Sequence, residues 1–214
     1  DESISFKNFA KTRNLVNLEY IYGELSNQGG EYPLDFSAVT LNPAEFKVVA
    51  TNAVTGKPYY FDKTDLHQDD YGAIKASSCV PAANRPYEVN GIPFYDGGIS
   101  DPIPLEKCFE AGCDKVVIVL TRPRDYVRKR AKDEAVAKLI RRKYPRAARV
   151  MSRRFMKYNT ELQLAKQYEK KGKVLIVAPD DIGAMKTLTR DKEAIALLYH
   201  KGYEDAEAIK SFIN

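Results

Sequence analysis

Two short runs limit what this chain can fold into more than any other feature: "KVVIVLT" at 115–121 and "KVLIVAP" at 173–179. Neither alternates apolar with polar residues. Each therefore predicts a strand buried on both faces, of the kind helices cover in an α/β sheet. In the stretch between them, Met151, Phe155, Tyr158, Leu162 and Ala165 recur at steps of four and three. That spacing predicts one long helix from about Ala147 to Lys171, closed by Gly172, whose Met-aromatic stripe is core packing rather than a cofactor box. Strands alternating with helices make the fold class α/β.

Upstream, Leu15 to Leu25 has helix-compatible spacing and runs into the loop "SNQGGEYP". "FKVVATNA" and "KPYYFD" are β-rich runs joined around "VTG", which predicts a hairpin or two neighbouring strands. "DDYGAIKASSCVPAANRP" reads as a short helix broken by Pro81, and "EVNGIPFYD" as a small hairpin turning at Asn90-Gly91. "IPLEKCFEAG" predicts a helix starting near Pro102 or Pro104 and closed by Gly112. The tail, "RDKEAIALLYHKGYEDAEAIKSF", predicts a pair of helices turned at Gly202, a terminal helical appendage.

Charge is spread unevenly. Between Arg122 and Lys157 stand fifteen Lys/Arg against three Asp/Glu, twelve net positive charges in a chain of total charge +5, so the remainder carries seven negative. Such a stripe fits a phosphate-rich partner, anionic lipid or nucleic acid. Its simpler reading is a solvated helical face, since Val136, Leu139, Ile140 and Lys143 fall at helical spacing with the charges opposite. No aromatic interleaving or reader motif accompanies the stripe, which argues against nucleic acid. Cys79, Cys108 and Cys113 form an odd set without metal-ligand spacing, as reduced thiols in a cytosol would. His67 and His200 alone do not easily build a His metal site or a Ser-His-Asp triad. No apolar run reaches the length of about eighteen residues that a membrane helix needs.

One short stretch looks chemical. Asp96-Gly97-Gly98 follows an apolar strand-like run and precedes Pro102 and Pro104. In α/β folds, ligands bind beyond the carboxyl ends of strands, so a carboxylate there is placed to accept a proton or orient a hydroxyl. The two glycines would let the backbone approach something closely. Spacing alone favours a plainer reading, an Asp-Gly turn that caps the next helix. Ser77 and Ser78, followed by Pro81, sit in a small-residue helix end and not in a nucleophile elbow, and Gly-x-Ser-x-Gly occurs nowhere in the 214 residues. A cation on Asp96 and Asp101 lacks the further carboxylates a hard metal needs.

Together, "FKVVATNAVTGKPYYF", "IKASSCVPAANRPYEVNGIPFYDGGISDPIPLEKCFEAGCDKVVIVLTRP" and the tail "LYHKGYEDA" resemble the bacterial patatin-like phospholipase family. The resemblance is to the subgroup with a C-terminal helical extension and covers nearly the whole chain. Its most specific parts are "ATN…TG", "ASS…P" and "DGG" followed by "DPIP". It implies a three-layer fold with a mainly parallel sheet, its N-terminal part missing here. It places the end of the catalytic domain in 1–180 and a helical extension in 181–214. It also implies a serine acyl hydrolase that works through a Ser–Asp dyad, without histidine and without a cofactor.

Asp96 matches the family's catalytic aspartate in its Asp-Gly-Gly/Ala motif, with Gly97 and Gly98 completing it. Ser77, Ser78 and Pro81 become motif and pocket neighbours. The family's serine elbow and glycine-rich oxyanion loop precede the region matched here. The chain alone is therefore expected to be inactive, and an N-terminal fragment or a homo-oligomer is expected to cover the uncovered sheet edge. The implied substrate is a lipid or small acyl ester. The implied location is cytoplasmic, with Arg122–Lys157 offering peripheral contact to an anionic membrane. A non-catalytic remnant or binding module of the same fold is the alternative.

Overall fold

The computed structural model describes residues 3–4, 9–10, 12–183, 185, 189 and 191–213. After a π-helical turn at Tyr20–Leu25 come α1 (Phe36–Leu41), β1 (Val48–Asn52), β2 (Pro58–Phe61) and α2 (Gly72–Ser77). Next are β3 (Tyr87–Val89), β4 (Ile92–Asp96), a 3-10 turn (Gly97–Ile99), α3 (Leu105–Glu110) and β5 (Val116–Val119). The remainder is α4 (Arg130–Ile140), α5 (Pro145–Met151), α6 (Arg154–Lys170), β6 (Val174–Val177), α7 (Lys192–Ala206) and α8 (Ala208–Ile213). The chain divides into two compact units, Asp1–Pro102 with Lys129–Lys157, and Ile103–Arg128 with Tyr158–Asn214. The α/β class read from the sequence holds. Among the described residues no helix is long and apolar enough to cross a membrane.

The first unit is built on a four-stranded sheet of order β2-β1-β4-β3. All its pairings are antiparallel, Val48 facing Phe61 and Ala50 facing Asp96. Short turns dictate this. Asn90 (φ 52) and Gly91 (φ 74) both take positive φ, the requirement of the tight turn whose twist matches paired strands. At the β1–β2 turn, Asn52 Oδ1 accepts from the N–H groups of Val54 and Thr55. Side chains alternate across the sheet. Phe94 packs with Val48, Ala50, Phe61 and the α2 residues Ala73 and Ala76. Tyr95 points the other way, into a cluster with Ile99, Ala137, Ile140, Tyr144, Ala147 and Met151.

The second unit holds the parallel pairing. β5 and β6 lie in register, Val116 opposite Val174 and Val119 opposite Val177. Leu105, Ile118, Leu162, Ala165, Val174 and Ile176 form its core. β6 is largely buried, but Val116 and Val117 are only half-buried and Val119 is 69% exposed. β5 is thus not covered on both faces, and the lack of alternation overstated its burial.

Several boundaries differ from the spacing. The expected long helix is two, because the chain breaks between α5 and α6, where the Ser152 hydroxyl bonds back to the Arg149 carbonyl at 2.9 Å. On α4 the expected Ile140 is buried and Val136 packs against the core, but Leu139 is 70% exposed and Lys143 is exposed beyond the helix end, while Asp133 and Ala137 complete the buried face. α7 runs straight through Gly202, and the break in the tail comes at Glu207. Of the Leu15–Leu25 segment, the part from Tyr20 is a π-helical turn.

Candidate active site

Asp96 is the last residue of β4, and each of its polar groups is fixed by a different part of the first unit. Its N–H donates to the Cys79 carbonyl at 2.8 Å, tying the strand end to the loop after α2. Its carbonyl accepts from Thr51 Oγ1 at 2.8 Å. The same hydroxyl lies 2.8 Å from Ser100 Oγ. With the threonine proton on the carbonyl, the serine must be the donor in that second bond. Its carboxylate Oδ1 accepts from the Gly98 N–H at 2.7 Å. That contact caps the 3-10 turn, so the plain capping reading of the motif is realised, on a single tight turn rather than a helix.

Gly97 supplies the close approach. A Cβ there would sit 2.1 Å from the Val49 carbonyl oxygen, so only glycine lets the turn lie against β1. A Cβ on Gly98 would sit 3.0 Å from both Asp96 Oδ1 and Arg154 Nη2, which places the Arg154 guanidinium beside the carboxylate. Just beyond, buried Asp101 accepts from the Tyr60 hydroxyl, and Lys157 Nζ lies 3.4 Å from its Oδ1. Asp101 is thus held by side chains of its own unit. Arg154, Tyr60 and Lys157 had no local signal in the sequence, because each reaches the loop only through the tertiary fold. Thr51 stood inside the "ATN" run without a role of its own.

The serines fall differently. Ser77 ends α2 and Ser78 caps it, with Ser78 Oγ 3.3 Å from the Tyr22 hydroxyl. Pro81 is buried and bridges to Asn84. In this segment Cys79 meets Asp96 directly, through its backbone. The Cys79 thiol donates to the Arg85 carbonyl at 2.6 Å and is pushed up to about 12. Burial is the main cause, a backbone bond from Tyr87 pulls the other way, and the Asp96 charge adds to the rise. Burial likewise raises the Tyr95 phenol, helped by Tyr144 and Cys79. Lys75, buried in α2, bonds Glu19 Oε2 at 2.5 Å. Its burial alone would lower the ammonium pKa, but Glu19 and Tyr87 outweigh it and the net shift is upward.

Two concavities of this unit leave out Asp96, and one of them reaches Cys79, whose carbonyl holds the Asp96 N–H. One, of about 350 Å³, is lined in part by Glu19, Cys79, Asn84, Arg85 and Tyr87. The other, of about 650 Å³, lies between α4 and α5. The basic segment Arg122–Lys157 is spread over a loop, α4, α5 and the start of α6 rather than one helical face. Part of its charge is neutralised locally, by Arg124–Glu169 and Arg130–Glu134.

Fold and loop together define an α/β protein with an Asp-Gly-Gly turn closing a sheet strand. Residues 144–213 match a family described as "Domain of unknown function (DUF6363)". The chain is 33% identical over 82 residues to uncharacterized NTE family proteins of Mycobacterium tuberculosis and Mycobacterium bovis, covering 38% of this chain and 22% of theirs. It is 26% identical over 129 residues to the uncharacterized protein YjjU of Escherichia coli, covering 54% of this chain and 32% of that one. The matches thus span from about a fifth to a third of the curated relatives' length. The chain is similar, at low identity and over part of its length, to proteins named for the NTE family, a patatin-like phospholipase family.

Proposed function

We propose that this chain is part of a patatin-like acyl hydrolase in which Asp96 is the carboxylate partner of a serine nucleophile. The carboxylate takes the serine proton as the hydroxyl attacks an ester carbonyl, and returns a proton to the leaving alcohol; water then releases the acyl group. Such a dyad needs no imidazole. The observation that carries the reading is the Asp96 carboxylate, held at a strand end by the Gly98 N–H at 2.7 Å while its backbone is bound to Cys79 and Thr51. The names of the mycobacterial relatives support the same family of reactions. In this reading 1–180 belongs to the catalytic domain and 181–214 to its helical extension. The substrate is a lipid or small acyl ester, and the 214 residues alone do not turn it over.

The test is ester hydrolysis by the intact protein against its Asp96→Asn variant. Loss of the base is expected to cut kcat/KM by at least about a hundredfold. Equal turnover would end the assignment. The second reading, a non-catalytic module, is favoured by the structural use of Asp96 Oδ1 as a turn cap. It predicts that the intact protein hydrolyses no acyl ester above the buffer rate.

A further inference from the structure

The groove between α4 and α5 is walled by cations at matched spacing. Lys138 and Arg141 stand three residues apart on one side, Arg146 and Arg149 three apart on the other. The floor is Ala137 and Ala148, 6% and 4% exposed, whose single methyl groups leave the space open. The two helices bury Ile140, Tyr144, Ala147 and Met151 in the core of the first unit, so the walls stand on a packed frame.

The charge in this groove is uncompensated. Among the described residues, none of these four side chains takes part in an ion pair or a side-chain hydrogen bond. The carboxylate of the groove, Glu134, is bound by Arg130 at 2.6 Å and neutralises none of them. Some cations elsewhere do find partners, as Lys157 does in Asp101, Lys166 in Asp125 and Lys201 in Asp180 and Asp205. Like charges at this helical spacing repel, so the arrangement costs stability unless an anion occupies it.

We propose that this groove is a binding site for a dianionic phosphate group. Three of its four cations are arginines, whose planar forks bind phosphate oxygens two at a time. Lys138 adds a point charge. A volume of about 650 Å³ admits a phosphate with the polar group that carries it. The phosphomonoester comes either from a lipid headgroup or from a soluble phosphate ester. The site stands independently of the role of Asp96.

The experiment uses the full chain with vesicles of phosphatidylcholine alone, or doped with phosphatidic acid or phosphatidylserine at matched surface charge. Glycerol 3-phosphate serves as the soluble probe, by calorimetry and as a competitor. Phosphatidic acid is expected to bind more tightly than phosphatidylserine. The variants Lys138→Gln/Arg141→Gln and Arg146→Gln/Arg149→Gln are expected to weaken that binding roughly twenty-five-fold, about fivefold per cation. The control Lys132→Gln/Arg142→Gln removes the same charge from exposed positions outside the groove, where it acts only through the screened surface potential, and is expected to weaken binding clearly less than either groove variant.

Vesicle binding that glycerol 3-phosphate displaces supports the site with a soluble ester as its occupant. Vesicle binding it leaves intact supports the site with a lipid headgroup. Equal weakening by control and groove variants would reduce the effect to diffuse charge and overturn the proposal. So would failure of every phosphate probe to bind, or RNA binding without any response to phosphomonoesters. Circular dichroism confirms that each variant is folded, and all substituted side chains are exposed.

Discussion

Gly97 lies so close to Val49 that a Cβ on the glycine would meet the valine carbonyl oxygen at 2.1 Å. The next residue is under a different constraint, since a Cβ on Gly98 would meet only side-chain atoms, Asp96 Oδ1 and Arg154 Nη2, at 3.0 Å. Gly97→Ala must therefore push β1 and β4 apart and is expected to cost about 3 kcal/mol. Gly98→Ala needs a shift of a few tenths of an ångström in the Asp96 carboxylate and the Arg154 guanidinium, both side-chain ends, and is expected to cost no more than about 1 kcal/mol. Urea denaturation of the two variants checks this, and equal losses would refute it.

Asp96 has a structural duty that is separable from its charge. Its Oδ1 caps the turn through Gly98 N–H, and an asparagine amide oxygen can accept the same bond. Asp96→Asn is expected to lose only a few tenths of a kcal/mol, and Asp96→Ala about 1 kcal/mol. Denaturant midpoints for the pair decide it. A greater loss in the asparagine variant would mean that charge, with Arg154 near, outweighs the cap.

What the sequence revealed was whatever neighbouring residues decide among themselves. The Asn90-Gly91 turn, the β-rich runs on either side of it, and helix ends at Gly112 and Gly172 follow from local backbone chemistry, and the structure has them. The partners of strands do not. Ala50 faces Asp96 across β1 and β4, an antiparallel pairing that the continuous apolar runs at β5 and β6 gave no reason to expect. Arg154, Tyr60 and Lys157 were invisible for the same reason, since long-range packing alone brings them to the loop. Where local signals misled, they were weak ones. Ser152 interrupts a helix whose apolar spacing continues past it, and Gly202 is a breaker only when nothing else holds its helix.

Burial of Cys79 makes the fold sensitive to alkali. Its thiol is pushed from an ordinary value of 9.0 up to about 12 in the folded protein. The unfolded chain therefore loses the proton first. The stability this contributes is intact below 9.0 and drains away as the pH climbs toward about 12, by at most about 1.4 kcal/mol per pH unit. Cys79→Ala lowers stability at neutral pH through lost packing, yet is expected to flatten the alkaline slope. Tyrosines ionise in the same range in both proteins, and since only Tyr95 is raised in part by Cys79, the difference between the two pH profiles reports the thiol with that small linked contribution. Parallel profiles would show that Cys79 titrates normally. Thiol labelling of the native protein offers a second check: exposed Cys113 is expected to react readily and buried Cys79 only on unfolding.

Gly202 sits within α7, ten residues past its first residue Lys192, with no positive φ and open space around the position of a Cβ. A glycine there exacts the entropy of an unconstrained backbone without using its freedom. Gly202→Ala is expected to stabilise α7 by about 0.5–1 kcal/mol, the helix-propensity difference, because no neighbour has to move. Hydrogen exchange of the α7 amides resolves the effect locally, with slower exchange on both sides of position 202. Faster exchange in the alanine variant would mean that the chain turns at Gly202 in solution, as the sequence spacing first suggested, and that the helix is not continuous.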